Sequence, residues 1–234
     1  MASILLLPGL ACDAALWRDQ MPALTAAGHD VQVTDVHSRF DTLQAMAAAL
    51  LAEQPGARVL VGSSMGGMLA LEVQRQAPAR VPAMALLGTS ARPDTPELLQ
   101  LRGEAIALFA QGRADEVLRA NIPFALHPQA WHHAALVADY FEMMRRAGAE
   151  QLIRQNRAVM ARIDSRPGLA AVRCPVLVAC GDADLLTPPE HAQEIADAVV
   201  GARLEIVPVC GHLLSWEQPE RINTLLLDWL AGMN

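Results

Sequence analysis

The sequence has no lysine; all 18 of its basic residues are arginines. Lysine Schiff-base chemistry and the phosphate-gripping lysine of a P-loop are therefore excluded. Cysteine is scarce. The four present, Cys12, Cys174, Cys180 and Cys210, show neither C-x-x-C spacing nor a metal-ligand pattern. They read as buried or partly buried free thiols in a reducing compartment. Basic charge is in deficit, with a formal net charge of -7, which argues against nucleic acid as a partner of the whole protein. No apolar run is long enough to span a bilayer. The apolar stretch within Met1–Leu10 lacks a charged leader and runs into Pro8-Gly9, so it is expected to be a first strand rather than a signal peptide, in a cytoplasmic protein. No internal repeat is present, and no cofactor or metal is expected.

What is there is a 234-residue chain, 53% hydrophobic, enough for one sizeable core with an inserted subdomain. Short apolar runs alternate with helical periodicity. Strands are expected at Ser3–Leu7, Val31–Val36, Val59–Val61, Val81–Leu87, Val176–Cys180 and Arg203–Val207. Helices are expected at Leu16–Ala27, Leu43–Ala52 (capped by Asp41 or Thr42), Met68–Ala77, Pro189–Val199 and Pro219–Ala231. From Pro96 to about Asp164 only helical periodicity appears: about Pro96–Gln111, Ala114–Ile122, and two helices within Pro128–Ile163 broken near Gly148. The fold class is thus α/β, a doubly wound, mainly parallel sheet interrupted once by an all-helical segment. The expected division is a core of residues 1–90 and 173–234 and a helical lid over 91–172.

The chain is organised around Gly62-Ser63-Ser64-Met65-Gly66. A G-x-S-x-G pattern between a buried strand and a helix forms a sharp turn that lifts the serine hydroxyl to the end of the sheet. A serine needs a base, and the base needs an orienting acid. On this fold they come in the order serine, acid, histidine. Gly181-Asp182-Ala183-Asp184 follows the fifth strand, and Cys210-Gly211-His212 follows the sixth. Asp184, deeper in its loop, is favoured as orienter; Asp182 reads as a turn-forming aspartate satisfying local backbone donors. His212 alone among seven histidines has the late post-strand position; His29, His37, His127, His132, His133 and His191 do not. The oxyanion hole needs two backbone N–H groups, expected from Leu10 and Met65. Trp17, Met68, Phe109, Phe124, Trp131, Phe141 and Leu213 are candidate lining of an apolar substrate pocket.

With Gly62–Gly67, Gly181–Pro188 and Gly211-His212 followed by Trp216-Glu217-x-Pro219-Glu220, the chain resembles the α/β-hydrolase superfamily over essentially its whole length. The resemblance implies a Ser64–His212–Asp184 triad, six strands in the order 2-1-3-4-5-6 without the two antiparallel strands that often begin the fold, and a helical lid between Thr89 and about Val172. One departure is Pro8-Gly9 where many relatives carry His-Gly. The implied activity is hydrolysis of a small or medium-chain hydrophobic ester through an acyl-enzyme. The same superfamily holds lactonases, thioesterases, C–C hydrolases, cofactor-free haloperoxidases and non-catalytic binding proteins. Six arginines against two acids between Arg145 and Arg166 resemble the basic lid of pimeloyl-carrier methyl ester esterases, which implies an acidic carrier protein as partner; a solvated face with internal ion pairs is the plainer reading. The oligomeric state is not legible.

Overall fold

The computed structural model describes residues 1–233. Its elements run β1 (Ser3–Leu7), a 3-10 turn (Ala14–Trp17), α1 (Gln20–Ala26), β2 (Asp30–Val33), α2 (Val36–Arg39), α3 (Leu43–Glu53), β3 (Val59–Ser63), α4 (Met65–Gln76), a second 3-10 turn (Pro78–Arg80) and β4 (Met84–Leu87). The chain then turns all-helical: α5 (Pro96–Ala110), α6 (Ala114–Ala125), a 3-10 turn (Pro128–His132), α7 (Ala134–Met160) and α8 (Arg166–Leu169). The alternation resumes with β5 (Val176–Gly181), α9 (Pro189–Ala198), β6 (Arg203–Val207), α10 (Leu214–Glu217) and α11 (Pro219–Ala231).

The six strands form one sheet in the order β2-β1-β3-β4-β5-β6, with every pair parallel. Successive strand residues point to opposite faces. Ile4, Leu6, Val59, Val61, Leu177 and Ala179 join the core on one side, which includes α11. Leu5, Leu7, Leu60, Met84, Val176 and Val178 join the core on the other, beneath α3, α4 and α9. A sheet buried on both faces explains why its central strands read as continuous apolar runs.

Several expected boundaries move, each for a local reason. The helix expected over Leu16–Ala27 is split: Asp13 caps a 3-10 turn by accepting the Ala15 N–H, and α1 starts only at Gln20. Pro22 has no N–H to give to Arg18, so a continuous helix through both would lose that bond and is disfavoured. The strand expected over Val31–Val36 stops at Val33, because Val36 begins the short α2. The strand expected from Val81 starts at Met84, just after Pro82. Thr42, not Asp41, caps α3, its side chain accepting from the Ala45 N–H. The expected break at Gly148 is present, with φ 71 and ψ 163. That conformation suits glycine; α7 contributes Phe141, Met144 and Leu152 to one core and Ala158 and Val159 to the other. Among the described residues no helix is long and apolar enough to cross a membrane.

Candidate active site

Ser64 is the hinge between β3 and α4. Its backbone takes φ 53 and ψ -117, a conformation costly for a residue with a side chain. Close packing of the glycines that flank it holds it there. A Cβ on Gly66 would lie 2.0 Å from the Leu7 carbonyl oxygen, and one on Gly62 would lie 2.3 Å from that of Gly66. The flanking glycines of the motif are therefore required by contact. From the next strand's end, Thr89 Oγ1 donates to the Ser64 carbonyl at 2.7 Å. Ser64 is partly exposed whereas Ser63 is buried.

Asp184 and His212 come together beyond the ends of β5 and β6. His212 Nδ1 lies 2.7 Å from Asp184 Oδ2. Asp184 Oδ1 accepts the Leu186 and Thr187 N–H groups, each at 2.9 Å, and Thr187 Oγ1 donates to Oδ2 at 3.0 Å. Burial by itself pushes the Asp184 carboxyl up, but the His212 ring and the Thr187 donors outweigh it and hold it below the ordinary carboxylate range. Burial likewise pushes the His212 ring down; the Asp184 charge and hydrogen bond reverse that and leave it above the ordinary histidine value. The ring is thus oriented through Nδ1, which leaves Nε2 available as a base. Gly88, the residue after β4, packs against this pair, where a Cβ would come within 3.3 Å of both Asp184 Oδ2 and His212 Nδ1.

Asp182 does more than serve its own turn. Its Oδ1 accepts the Cys210 N–H at 3.1 Å and so ties the acid loop to the histidine loop, 28 residues on. Burial pushes the nearby Cys12 thiol up to about 12 and raises Cys180 and Cys210 as well, which disfavours their thiolate forms. Among the described residues, no group of three His, Cys, Asp or Glu side chains is placed to hold a metal.

Leu10 and Met65 flank Ser64 on the loop after β1 and on the first turn of α4. Among the described residues neither N–H finds a partner within the chain. A Cβ on Gly9 would lie 3.3 Å from Ser64 Cβ, which puts the two segments in contact. The Leu10 side chain packs against both cores.

The candidate pocket residues divide. Met68 packs in the core beneath α3 and α4, while Trp17, Phe109, Phe141 and Leu213 pack in the opposite core. Trp17 is 0% exposed and reads as a packing residue. Phe124 and Trp131 lie at the surface, 52% and 46% exposed. On α6 the buried stripe runs through Leu118 and Ala125, one turn position away from Phe124; Trp131 sits on a short 3-10 turn and donates its indole N–H to the Leu126 carbonyl. An open groove of about 670 Å³ along Pro189, Glu190, Gln193, Glu194 and Ile206 contains none of the expected residues.

Sequence reasoning left two supporting side chains unassigned. Glu217 accepts the backbone N–H groups of His127, Gly211 and Leu213; it stands in the Trp216-Glu217-x-Pro219-Glu220 motif, which gave it no role of its own. Gln155, on α7, accepts the Ala11 N–H at 2.8 Å; nothing in an arginine-rich helix distinguishes it.

A sequence profile of the alpha/beta hydrolase fold matches residues 2–219. The RutD protein of Variovorax paradoxus, to which carbamate hydrolysis is ascribed, is 29% identical over 248 residues, covering 99% of this chain and 92% of that one. The pimeloyl-[acyl-carrier protein] methyl ester esterase of Aromatoleum aromaticum is 29% identical over 211 residues, covering 83% of this chain and 82% of that one. Among solved structures, a thermophilic esterase from Thermogutta terrifontis superposes with a TM-score of 0.90 at 26% identity, covering 99% of this chain and 90% of that one. With the six-stranded parallel sheet and the strained serine turn, these likenesses make the chain a member of the α/β-hydrolase fold family.

Proposed function

We propose that this protein is a serine hydrolase that cleaves a small or medium-chain hydrophobic carboxylic ester through an acyl-enzyme on Ser64. The observation that carries the reading is the 2.7 Å contact between His212 Nδ1 and Asp184 Oδ2, on the loops that follow β5 and β6. In this reading Ser64 Oγ attacks the ester carbonyl carbon while its proton passes to His212 Nε2. The carbonyl oxygen becomes an anion facing the Leu10 and Met65 N–H groups, at the N-terminus of α4. Collapse of the tetrahedral adduct breaks the ester C–O bond, and the His212 proton goes to the departing alkoxide. Water, activated by the same ring, then hydrolyses the acyl-serine. A lactone is an ester closed on itself and reacts by the same steps.

The helices between β4 and β5 serve in this reading as a lid over the site. Two of the loops that carry the proposed chemistry are touched by that segment: the His212 N–H donates to the Ala125 carbonyl at 2.8 Å, with Glu217 of the following α10 accepting the His127 N–H, and Gln155 accepts the Ala11 N–H of the loop after β1.

The test is direct. Ser64→Ala should remove about four or more decades of p-nitrophenyl butyrate turnover without loss of folding, because the triad acts as a unit. A fluorophosphonate should label Ser64; labelling at Ser63, or full turnover by Ser64→Ala, would overturn the reading.

A further inference from the structure

Thr187 stands three residues after Asp184 and touches both Asp184 and His212. Its N–H donates to Asp184 Oδ1 at 2.9 Å and its hydroxyl to Oδ2 at 3.0 Å, so one residue holds both carboxylate oxygens. The same hydroxyl oxygen lies 3.2 Å from His212 Nδ1, and Nδ1 lies 2.7 Å from Oδ2. Thr187 Oγ1, Asp184 Oδ2 and His212 Nδ1 thus close a triangle, and all three residues are buried.

One arrangement of hydrogens satisfies this triangle. The ionised Asp184 carboxylate can only accept. If Nδ1 lacked its proton, its lone pair would face Oδ2 at 2.7 Å, acceptor against acceptor in a buried place. Nδ1 therefore carries the proton and donates it. The threonine proton has no place on Nδ1 and goes to Oδ2, which leaves the hydroxyl oxygen facing the Nδ1–H as a second, longer acceptor. The position of Thr187 is itself fixed. Pro188 restricts the residue before it to extended conformations, and Pro188 and Pro189 stand at the start of α9. The Thr187 carbonyl lies 3.3 Å from Cys180 Sγ, near the end of β5.

We infer that Thr187 is a positioning residue for the base: its hydroxyl fixes Asp184 Oδ2 opposite His212 Nδ1 and joins Asp184 in selecting the ring tautomer that leaves Nε2 free to accept the Ser64 proton. The work lies in the hydroxyl, not in the methyl group beside it. The inference rests on the serine-hydrolase reading of Ser64.

The experiment compares wild type, Thr187→Val and Thr187→Ser, reading kcat and KM for p-nitrophenyl butyrate and the rate at which a fluorophosphonate labels Ser64. Valine keeps the shape of threonine and loses the hydroxyl; serine keeps the hydroxyl and loses the methyl. Thr187→Val should lower kcat and the labelling rate by about 10-fold, the scale of one hydrogen bond to a charged group, while KM moves by less than about threefold. Thr187→Ser should stay within about twofold of wild type in both rates. A packing role gives the opposite order, with serine the more impaired. Wild-type rates in Thr187→Val, a serine variant as impaired as valine, or a loss carried by KM alone overturns the inference. If the valine variant does not fold, Thr187→Ala is set against Thr187→Ser, since these two differ by the hydroxyl alone. Alanine about 10-fold below serine in kcat then supports the inference, and equal kcat overturns it. A wild type that is not labelled at Ser64 removes the hydrolase reading and the inference with it; a labelled wild type with an unaffected Thr187→Val removes the inference alone.

Discussion

Glu217 Oε2 accepts the backbone N–H of His127 at 2.7 Å, across 90 residues of chain. Its other oxygen accepts the Gly211 N–H at 3.0 Å and the Leu213 N–H at 3.2 Å, on either side of His212. One carboxylate thus fastens the helical insertion to the loop that carries the proposed base. Burial pushes the Glu217 carboxyl up, and the three backbone donors pull against it.

Replacing it should therefore cost stability before chemistry. Glu217→Ala leaves three backbone donors without their acceptor, and should destabilise the fold by about 2–4 kcal/mol in urea denaturation. Glu217→Gln keeps one acceptor oxygen but turns an NH2 toward backbone N–H groups, and should fall between alanine and wild type. Equal stability of all three proteins would show that the carboxylate is not what joins the two segments.

The two aspartates of the acid loop should separate cleanly. Asp184→Asn should lower kcat by about four decades with little change in KM, since the amide sets the wrong His212 tautomer. Asp182→Asn should leave kcat within about tenfold and act mainly on stability, because its bond goes to the Cys210 N–H rather than to the imidazole. A reversed pattern would transfer the orienting role to Asp182.

Activity should rise with pH through a value above that of an ordinary histidine. The base must be neutral to accept the serine proton, and Asp184 favours the charged ring, so turnover is lost below the raised His212 pKa and reaches its plateau above it. The stability carried by the same pair has two edges. The His212 share is present below the unfolded histidine pKa and lost as pH rises through the folded one, whereas the Asp184 share is present above the unfolded aspartate pKa and lost as pH falls through the folded one. In Asp184→Asn the residual activity should show its acid limb moved to lower pH. A flat profile from about pH 5 to 9 in wild type would argue against a histidine base.

What was legible in the sequence is what short-range chemistry fixes. The strained turn at Ser64 and the break at Gly148 follow from glycines, at Gly62 and Gly66 because a Cβ has no room and at Gly148 because φ is positive, whereas the strand order was implied by the family resemblance. Asp184 and His212 were legible because both lie just beyond strand ends, where sites on such sheets gather. The supports were not. Gln155 meets Ala11 across 144 residues, and Asp182 meets Cys210 across 28; neither partner can be inferred from local pattern. Phe124 and Trp131 lie at the surface; helical spacing says that a residue can face inward but not which face the neighbouring helices cover.

The arginine-rich stretch of α7 and α8 is mostly spoken for. Arg145 pairs with Glu142, Arg146 with Asp13, Arg162 with Asp94, and Arg166 with Asp164. Among the described residues only Arg154 and Arg157 of the six make no ion pair. Arg154 is half-buried, with its Nε shut away from water and unpartnered, so reversing its charge would disturb packing as well as any docking. Arg157 is exposed and is the clean probe. If this face docks an acidic carrier protein, Arg157→Glu should raise KM for a carrier-linked ester by about threefold, the scale of one exposed charge reversal. The effect should shrink as salt is added, because attraction at a surface is screened over about 8–10 Å. Free p-nitrophenyl butyrate should be hydrolysed as by wild type. Equal loss on both substrates would mean that Arg157 supports the insertion itself. No loss on either would leave the segment as an ion-paired outer face, which the four existing pairs already favour.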